Sequence, residues 1–128
     1  MSSYGIFAQR FSDSGAKEGS EFQVNTDENY KQDSPSIASL ANGGFVVSWT
    51  TLDADDDFDV HAQRYSSTGT KEGSEFRVNT NTVDTQHKSD IAGLISGDFV
   101  IVWESYGQDG SNWGIYAQLY SSSKARNS

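Results

Sequence analysis

The chain has 128 residues, which is enough for one domain or for part of a repetitive one. Its net charge of -9 repels polyanions, so we expect neither nucleic acid nor an anionic membrane as a partner. Cysteine is absent, which rules out disulfides and thiolate chemistry, and the sequence shows neither a signal peptide nor an apolar run of the ~20 residues that cross a membrane.

An internal repeat with an offset of 54 residues dominates the chain. Residues 4–26 read YGIFAQRFSDSGAKEGSEFQVNT, and residues 58–80 read FDVHAQRYSSTGTKEGSEFRVNT. About 23 of the 54 aligned positions are identical, which is typical of repeat architectures. The offset predicts one repeat domain over 1–128, with repeats at about 4–57 and 58–112, a partial third at about 113–121 and a tail at 122–128.

Short runs rich in aromatic and β-branched residues, separated by Gly, Asn, Asp and Ser, predict strands and no helices. The predicted strands are, in chain order, 4–11, 21–25, 36–40, 45–50, 58–65, 75–79, 90–94, 99–104 and 113–120. A glutamine recurs in all three copies of the 4–11 strand, at Gln9, Gln63 and Gln118, and predicts a hydrogen bond between strands or sheets.

The alternation of side chains predicts how the sheets pack. In 45–50 and in 99–104 both faces of the strand are largely apolar, which indicates sheets covered on both sides. Four strands per period of about 50 residues predict an all-β, propeller-like fold with two four-stranded antiparallel blades per chain. Gly15 and Gly19 in the connection at 12–19 predict a hairpin between the strands at 4–11 and 21–25, and the strand at 21–25 is also available to complete the C-terminal sheet.

Two blades cannot close a propeller ring, which needs about four to eight. We therefore expect closure by homo-oligomerisation, with a trimer of about six blades favoured. The other interpretation is that the chain is excised from a longer array, or engineered.

The strings IFAQRF, EFQVNT, FVVSW and SYGQDGSNWGIYAQ resemble tandem repeats of large secreted bacterial proteins of the hemolysin-type calcium-binding and adhesin kind. That resemblance implies a secreted or cell-surface location and leaves the activity open. Two-blade subunits that trimerise are also similar in architecture to small bacterial and fungal sugar-binding lectins. Architecture alone does not fix function.

An acidic loop is the candidate metal site. Asp53, Asp55 and Asp57 alternate, as carboxylates do in loops that wrap Ca²⁺. The second repeat retains only Asp109 in this loop, and the Gly and distal Glu of an EF-hand are missing. A solvated acidic loop is the alternative interpretation.

The loop before the third repeat is the candidate ligand site. Trp113 and Tyr106 flank it, and aromatic faces stack on the apolar faces of sugars. Gln108, Asp109 and Asn112 are near enough in sequence to bind hydroxyl groups. The alternative is that Trp113 is a strand-end aromatic that packs between sheets.

The remaining tryptophans and the histidines predict no chemistry. Trp49 and Trp103 fall in the strand alternation and are expected in the core. His61 replaces an aromatic residue of the other repeats, and His87 falls in a predicted exposed turn, so no nucleophile–base pair is indicated. The sequence therefore predicts a non-enzymatic binding module, lectin-like and multivalent, with a calcium-stabilised structural or spacer repeat as the alternative.

Overall fold

Strands account for all the regular secondary structure in the computed structural model, which describes residues 5–26, 31–52, 58–80, 85–106, 113–121 and 126–127. No helix long and apolar enough to cross a membrane is present among these residues. The strands are β1 (Phe7–Phe11), β2 (Lys17–Gln23), β3 (Lys31–Ser39), β4 (Phe45–Leu52), β5 (Phe58–Tyr65), β6 (Lys71–Arg77), β7 (Gln86–Gly93), β8 (Phe99–Tyr106), β9 (Trp113–Tyr120) and β10 (Arg126–Asn127).

The strands form three antiparallel sheets in chain order. Strands β1 and β2 form the N-terminal hairpin, β3-β4-β5-β6 form the central sheet, and β7-β8-β9-β10 form the C-terminal sheet. Neighbouring strands in each sheet are consecutive in the chain, and the described connections β1–β2, β3–β4, β5–β6 and β7–β8 are tight turns. In the β3–β4 turn, Gly43 adopts a φ of 89°, and the amide of Leu40 donates to the carbonyl of Gly44 at 2.8 Å.

The all-β, antiparallel prediction is confirmed, whereas the prediction of two complete four-stranded blades is wrong in detail. Only the central sheet has four full strands; the C-terminal sheet has three, with the two-residue β10 as its fourth. The predicted hairpin between 4–11 and 21–25 is confirmed as β1 and β2, and within the described residues the 21–25 strand does not complete the C-terminal sheet. Residues 126–127, predicted as tail, pair instead with Tyr120 and Leu119 of β9. No sheet closes on itself within the described ranges.

Backbone bulges explain why strands β2 and β3 begin several residues before the predicted starts. Strand β2 begins at Lys17 and not at Glu21, because Gly19 adopts a φ of 74° that lets the chain bulge and keep pairing with β1. Strand β3 likewise starts at Lys31, with a register shift between Asp33 and Ser36. The predicted strands 58–65 and 113–120 match β5 and β9.

The predicted glutamine hydrogen bonds join neighbouring strands at the bulges. The side-chain amide of Gln63 donates to the carbonyl of Gly73 on β6 at 3.1 Å, and Gln9 donates to the carbonyl of Gly19 at 3.2 Å. Gln63 also donates to the carbonyl of Arg64 at 3.1 Å. The prediction of an inter-strand role is therefore confirmed for the first two copies.

Two hydrophobic clusters lie between the sheets, and they use equivalent positions of the repeat. The cluster between hairpin and central sheet contains Ile6, Ala8, Phe22, Val24, Phe45, Val47, Trp49 and Tyr65. The cluster between central and C-terminal sheets contains, at the matching positions, Val60, Ala62, Phe76, Val78, Phe99, Ile101, Trp103 and Tyr120. The two inter-sheet cores are therefore built from residues at the same positions of the repeat.

The central sheet is covered on both faces, as the alternation in β4 predicts. Val46 is buried toward the C-terminal sheet, and Val47 is buried toward the hairpin. The C-terminal sheet differs, because among the described residues only its face that carries Ile101 and Trp103 is covered by another sheet. On its other face Val102 is 36% exposed and Ile115 is 71% exposed.

Candidate functional site

Four aromatic rings from two sheets meet at one place, which we name the aromatic corner: Phe58, His87, Tyr106 and Trp113. The ring of His87 stacks on Trp113 with centroids 5.1 Å apart, and Tyr106 meets Trp113 edge to face, also at 5.1 Å. Phe58, from the central sheet, lies 5.9 Å from His87. The corner is therefore a continuous aromatic surface at the end of β8 and the beginning of β9.

Strand register places His87, Tyr106 and Trp113 on one face of the C-terminal sheet. Tyr106 pairs directly with Trp113, and Glu104 pairs with both His87 and Ile115. Cross-strand neighbours on one face have Cβ atoms about 4.5–5.5 Å apart, which is close enough for ring contact.

A register shift follows His87 in β7, where Lys88 adopts a φ of 57°. This left-handed backbone conformation is unusual for a non-glycine residue. The same arrangement occurs in the first repeat, where Ser34 has a φ of 56°. The bulge beside the aromatic corner is therefore part of the repeat.

The corner borders an open cavity of about 380 Å³, which is lined by His87, Lys88, Glu104, Trp113, Gly114 and Ile115. Trp113 is 48% exposed and Tyr106 is 42% exposed. The carboxylate of Glu104 lies 3.8 Å from Nδ1 of His87. The cavity thus combines a large exposed ring with one acidic and one basic side chain, which suits a small ligand that has both an apolar face and polar groups.

Two of the five predicted ligand-binding residues, Trp113 and Tyr106, are in direct contact. The other three, Gln108, Asp109 and Asn112, lie outside the described residues. The prediction that Trp49 and Trp103 belong to the core is confirmed, since their exposures are 0% and 5%. Trp113 is therefore the one exposed tryptophan of the chain's three.

His87, Lys88 and Glu104 were missed as neighbours of Trp113. The prediction of an exposed turn at His87 is wrong, because this residue belongs to β7 and its side chain is 19% exposed. The only feature of the sequence that pointed to a strand at His87 was its place just before the predicted strand at 90–94. That signal was missed because the bulge at Lys88 interrupts the alternation.

The candidate calcium ligands Asp53, Asp55 and Asp57 lie outside the described residues. Among the residues that are described, no group of three or more acidic, His or Cys side chains is arranged to hold a metal ion. Asp59, which follows this run, is buried and accepts a hydrogen bond from the amide of Asn79 at 2.8 Å. Its carboxylate therefore has a structural partner.

His61 packs as an aromatic residue, as predicted, and its ring nitrogen also contacts a carboxylate. Its ring lies 6.3 Å from Trp49, and its Nδ1 is 3.1 Å from the carboxylate of Glu75. Near this pair, burial raises the pKa of Tyr65 to about 12, and the negative charge of Glu75 adds to the effect. These groups join strands β4, β5 and β6.

Known proteins offer no assignment for this arrangement. The chain matches no model of a known protein family and no curated protein.

Proposed function

We propose that the chain is a non-enzymatic, carbohydrate-binding module whose ligand site is the aromatic corner with its cavity. The observation that carries the proposal is the exposure of Trp113 beside this cavity, while Trp49 and Trp103 are buried. An indole face that stays in water at the mouth of a cavity is unfavourable. A ligand that covers it with an apolar face therefore gains hydrophobic free energy on binding.

The polar groups of the cavity suit a sugar. The carboxylate of Glu104 accepts hydrogen bonds from hydroxyl groups, and the ammonium of Lys88 donates them. A cavity of about 380 Å³ lies within the range of small-molecule sites. Net charge of -9 further favours neutral over anionic ligands.

We further propose that the sheets act as propeller-like blades in a ring that additional copies complete, with a homotrimer favoured. Each ring would then carry several equivalent corners, and avidity would multiply a weak single-site affinity. This organisation suits a secreted or cell-surface protein that resembles the repeats of bacterial adhesins.

Binding to a panel of immobilised neutral glycans, followed by isothermal titration calorimetry with each sugar retained, tests the proposal. We expect Trp113→Ala to weaken binding at least about tenfold, because a lost stacking contact of more than 1.4 kcal/mol corresponds to that factor. Ile95→Ala is the matched control, since Ile95 is 99% exposed in a turn.

The test reads sugar binding together with the melting temperature, so that loss of binding is separated from loss of folding. Loss of sugar binding in Trp113→Ala, with an unchanged melting temperature and normal binding by Ile95→Ala, supports the proposal. The proposal is wrong if no neutral sugar binds the parent chain, or if Trp113→Ala binds as well as the parent.

The alternative function is a structural or spacer repeat that Ca²⁺ stabilises at Asp53, Asp55 and Asp57. It is favoured by the contact of Phe58, the residue equivalent to Trp113, with His87 of the following sheet. On this reading millimolar Ca²⁺ raises the melting temperature, and the combined Asp→Asn variant at those three positions abolishes the rise. A melting temperature that neither Ca²⁺ nor a chelator moves contradicts the calcium site.

A further inference from the structure

Each inter-sheet interface joins two different faces of the repeat. We call the face that a sheet packs against the next sheet along the chain its front face, and the face that it packs against the previous sheet its back face. At the second interface the front face of the central sheet includes Val60 and Ala62 of β5. The following sheet contributes its back face, which includes Tyr116 and Tyr120 of β9. The chain stacks two such interfaces, so one front face and one back face remain at its ends.

The front face of the C-terminal sheet has no sheet on it within the described chain. Its residues are Val102, Ile115, Ala117 and Leu119, which correspond to Ser48, Val60, Ala62 and Arg64 of the central sheet. The central set is buried beneath the C-terminal sheet, with exposures of 0% for the first three and 2% for Arg64. The terminal set is open to solvent, with exposures of 36% for Val102, 71% for Ile115 and 40% for Leu119.

The change from Arg64 to Leu119 removes a charge from the end of the terminal front face that also carries Val102 and Ala117, whereas Glu104 places a carboxylate beside Ile115. In the internal interface the guanidinium of Arg64 lies over the ring of Phe99, 5.7 Å from its centroid. Leu119 occupies the same position as an uncharged aliphatic side chain. Contiguous apolar surface of this kind marks interaction sites in soluble proteins.

The back face of the N-terminal hairpin is open in the same way. Phe7 and Phe11 occupy the positions of Tyr116 and Tyr120 in the third copy. Tyr120 is 2% exposed where it packs on the preceding sheet, whereas Phe11 is 57% exposed and Phe7 is 56% exposed. The hairpin back face therefore presents the β9 part of the interface that the chain already uses internally, without counterparts of Phe99, Ile101 and Trp103 of β8, so the docked contact is smaller than the internal one.

We infer that the front face of the C-terminal sheet docks onto the hairpin back face of a second copy, head to tail. This inference rests on the proposed self-association and names its two surfaces. The contact is heterologous, so repetition closes a ring when the rotation between copies permits. The rings of Tyr106 and Trp113 stay at the rim of the contact, because their counterparts Leu52 and Phe58 are only half-buried in the internal interface. Ile115, which lines the cavity, has the buried Val60 as its counterpart and lies inside the contact.

Mixing two variants with opposite defects tests the inference. Ile115→Asp places a carboxylate on the front face, and Phe11→Asp places one on the hairpin back face. The absolute mass of each variant, and of their equimolar mixture, is measured by light scattering behind a sizing column. Ile95→Asp is the matched control, because Ile95 is 99% exposed outside both faces.

We expect the parent chain and Ile95→Asp to form the same oligomer, and each of the other variants alone to have the mass of one chain. Their mixture should form a dimer, since the intact hairpin of the Ile115→Asp chain meets the intact front face of the Phe11→Asp chain. Melting temperatures and circular dichroism near those of the parent exclude unfolding as the cause.

Two results would overturn the inference in different ways. A parent oligomer that survives in both variants, or a mixture that stays monomeric, means that copies associate through other surfaces, and the proposed self-association stands. A parent chain that is monomeric at every concentration removes both the surfaces and the self-association. Sugar binding is measured separately by calorimetry on the parent chain and on Phe11→Asp, and not on Ile115→Asp, because Ile115 lines the cavity.

Discussion

Val60 and Ile115 occupy the same position in successive copies of one strand, yet Val60 is fully buried and Ile115 is 71% exposed. The difference does not arise from the strands themselves, since β5 and β9 have the same length and pair with their neighbours in the same sense. It arises because the C-terminal sheet packs on the central sheet, whereas no sheet among the described residues packs on the matching face of the C-terminal sheet. Position in the stack, and not residue type, decides which apolar side chains form the core.

We predict that the same kind of truncation has opposite consequences at these two positions. Val60→Ala should lower the free energy of unfolding by about 2 kcal/mol, because it removes buried methyl groups and leaves a cavity. Ile115→Ala should change it by less than about 0.5 kcal/mol. Urea denaturation at protein concentrations below self-association measures both; equal losses would show that Ile115 is buried within a single chain.

Raised pH should destabilise the fold through Tyr65. Burial raises its pKa from 10.0 to about 12, so the folded chain retains a proton that the unfolded chain has lost. The contribution is fully present below pH 10 and disappears as the pH rises toward 12, by up to about 2–3 kcal/mol. Denaturant unfolding at several pH values across this range measures the loss.

The control for that prediction is Tyr65→Phe, which keeps the ring that stacks on Phe45 at 4.8 Å and removes the hydroxyl. Between pH 10 and 12 its stability should fall less steeply than that of the parent chain. Two curves with identical slopes would assign the alkaline destabilisation to other groups.

Gln63 should contribute more to stability than its polar character suggests. It is 0% exposed and donates to the carbonyls of Arg64 and Gly73. Gln63→Ala leaves these carbonyls without that donor in a buried site, which we expect to cost about 1–3 kcal/mol. Thermal and urea unfolding measure the cost.

Gln9→Ala is the matched comparison for that prediction, because Gln9 makes the same two kinds of hydrogen bond at a part-buried and exposed site. We expect a loss of less than about 1 kcal/mol there, since water replaces the lost donor. A larger loss at Gln9 than at Gln63 would contradict burial as the cause.

The repeat and its alternation were enough to predict the strand class, most strand positions and the burial of Trp49 and Trp103. Local pattern determines these features, because a strand with two apolar faces needs cover on both. The pattern could not place Arg126 and Asn127 beside β9, since only two residues pair there. It predicted the β1–β2 hairpin but left open whether the strand at 21–25 also completes the C-terminal sheet, because that choice depends on competition between equivalent edges of different sheets.

For the candidate site, the sequence identified Trp113 and Tyr106 but not their neighbours. Tyr106 and Trp113 flank one loop, so chain proximity was enough to associate them. His87 is 26 residues from Trp113 in sequence and reaches it across β8. The bulge at Lys88 hides this register from a simple alternation rule.

Close approach of two strands from different sheets makes Gly93 sensitive to substitution. A Cβ atom at this position of β7 would overlap the carbonyl oxygen of Ser39 at the end of β3. Gly93→Ala should therefore force the central and C-terminal sheets apart and cost about 1–3 kcal/mol. Ser39→Ala, which keeps that carbonyl, should be close to neutral, and a neutral Gly93→Ala would mean that the sheets adjust without loss.

Trp113 should dominate the response of the protein to a water-soluble quencher. Its indole is 48% exposed, whereas Trp49 and Trp103 are 0% and 5% exposed, so acrylamide reaches one of the three rings. We expect Trp113→Phe to remove most of the quenching and to shift the remaining emission to shorter wavelength, because the two buried indoles lie in apolar surroundings. Trp49→Phe should leave quenching almost unchanged. If the parent chain at high concentration loses quenching while Ile115→Asp retains it, docking covers the aromatic corner. If the parent chain and Ile115→Asp are quenched equally, the corner lies at the rim of the contact, as the half-buried Phe58 indicates.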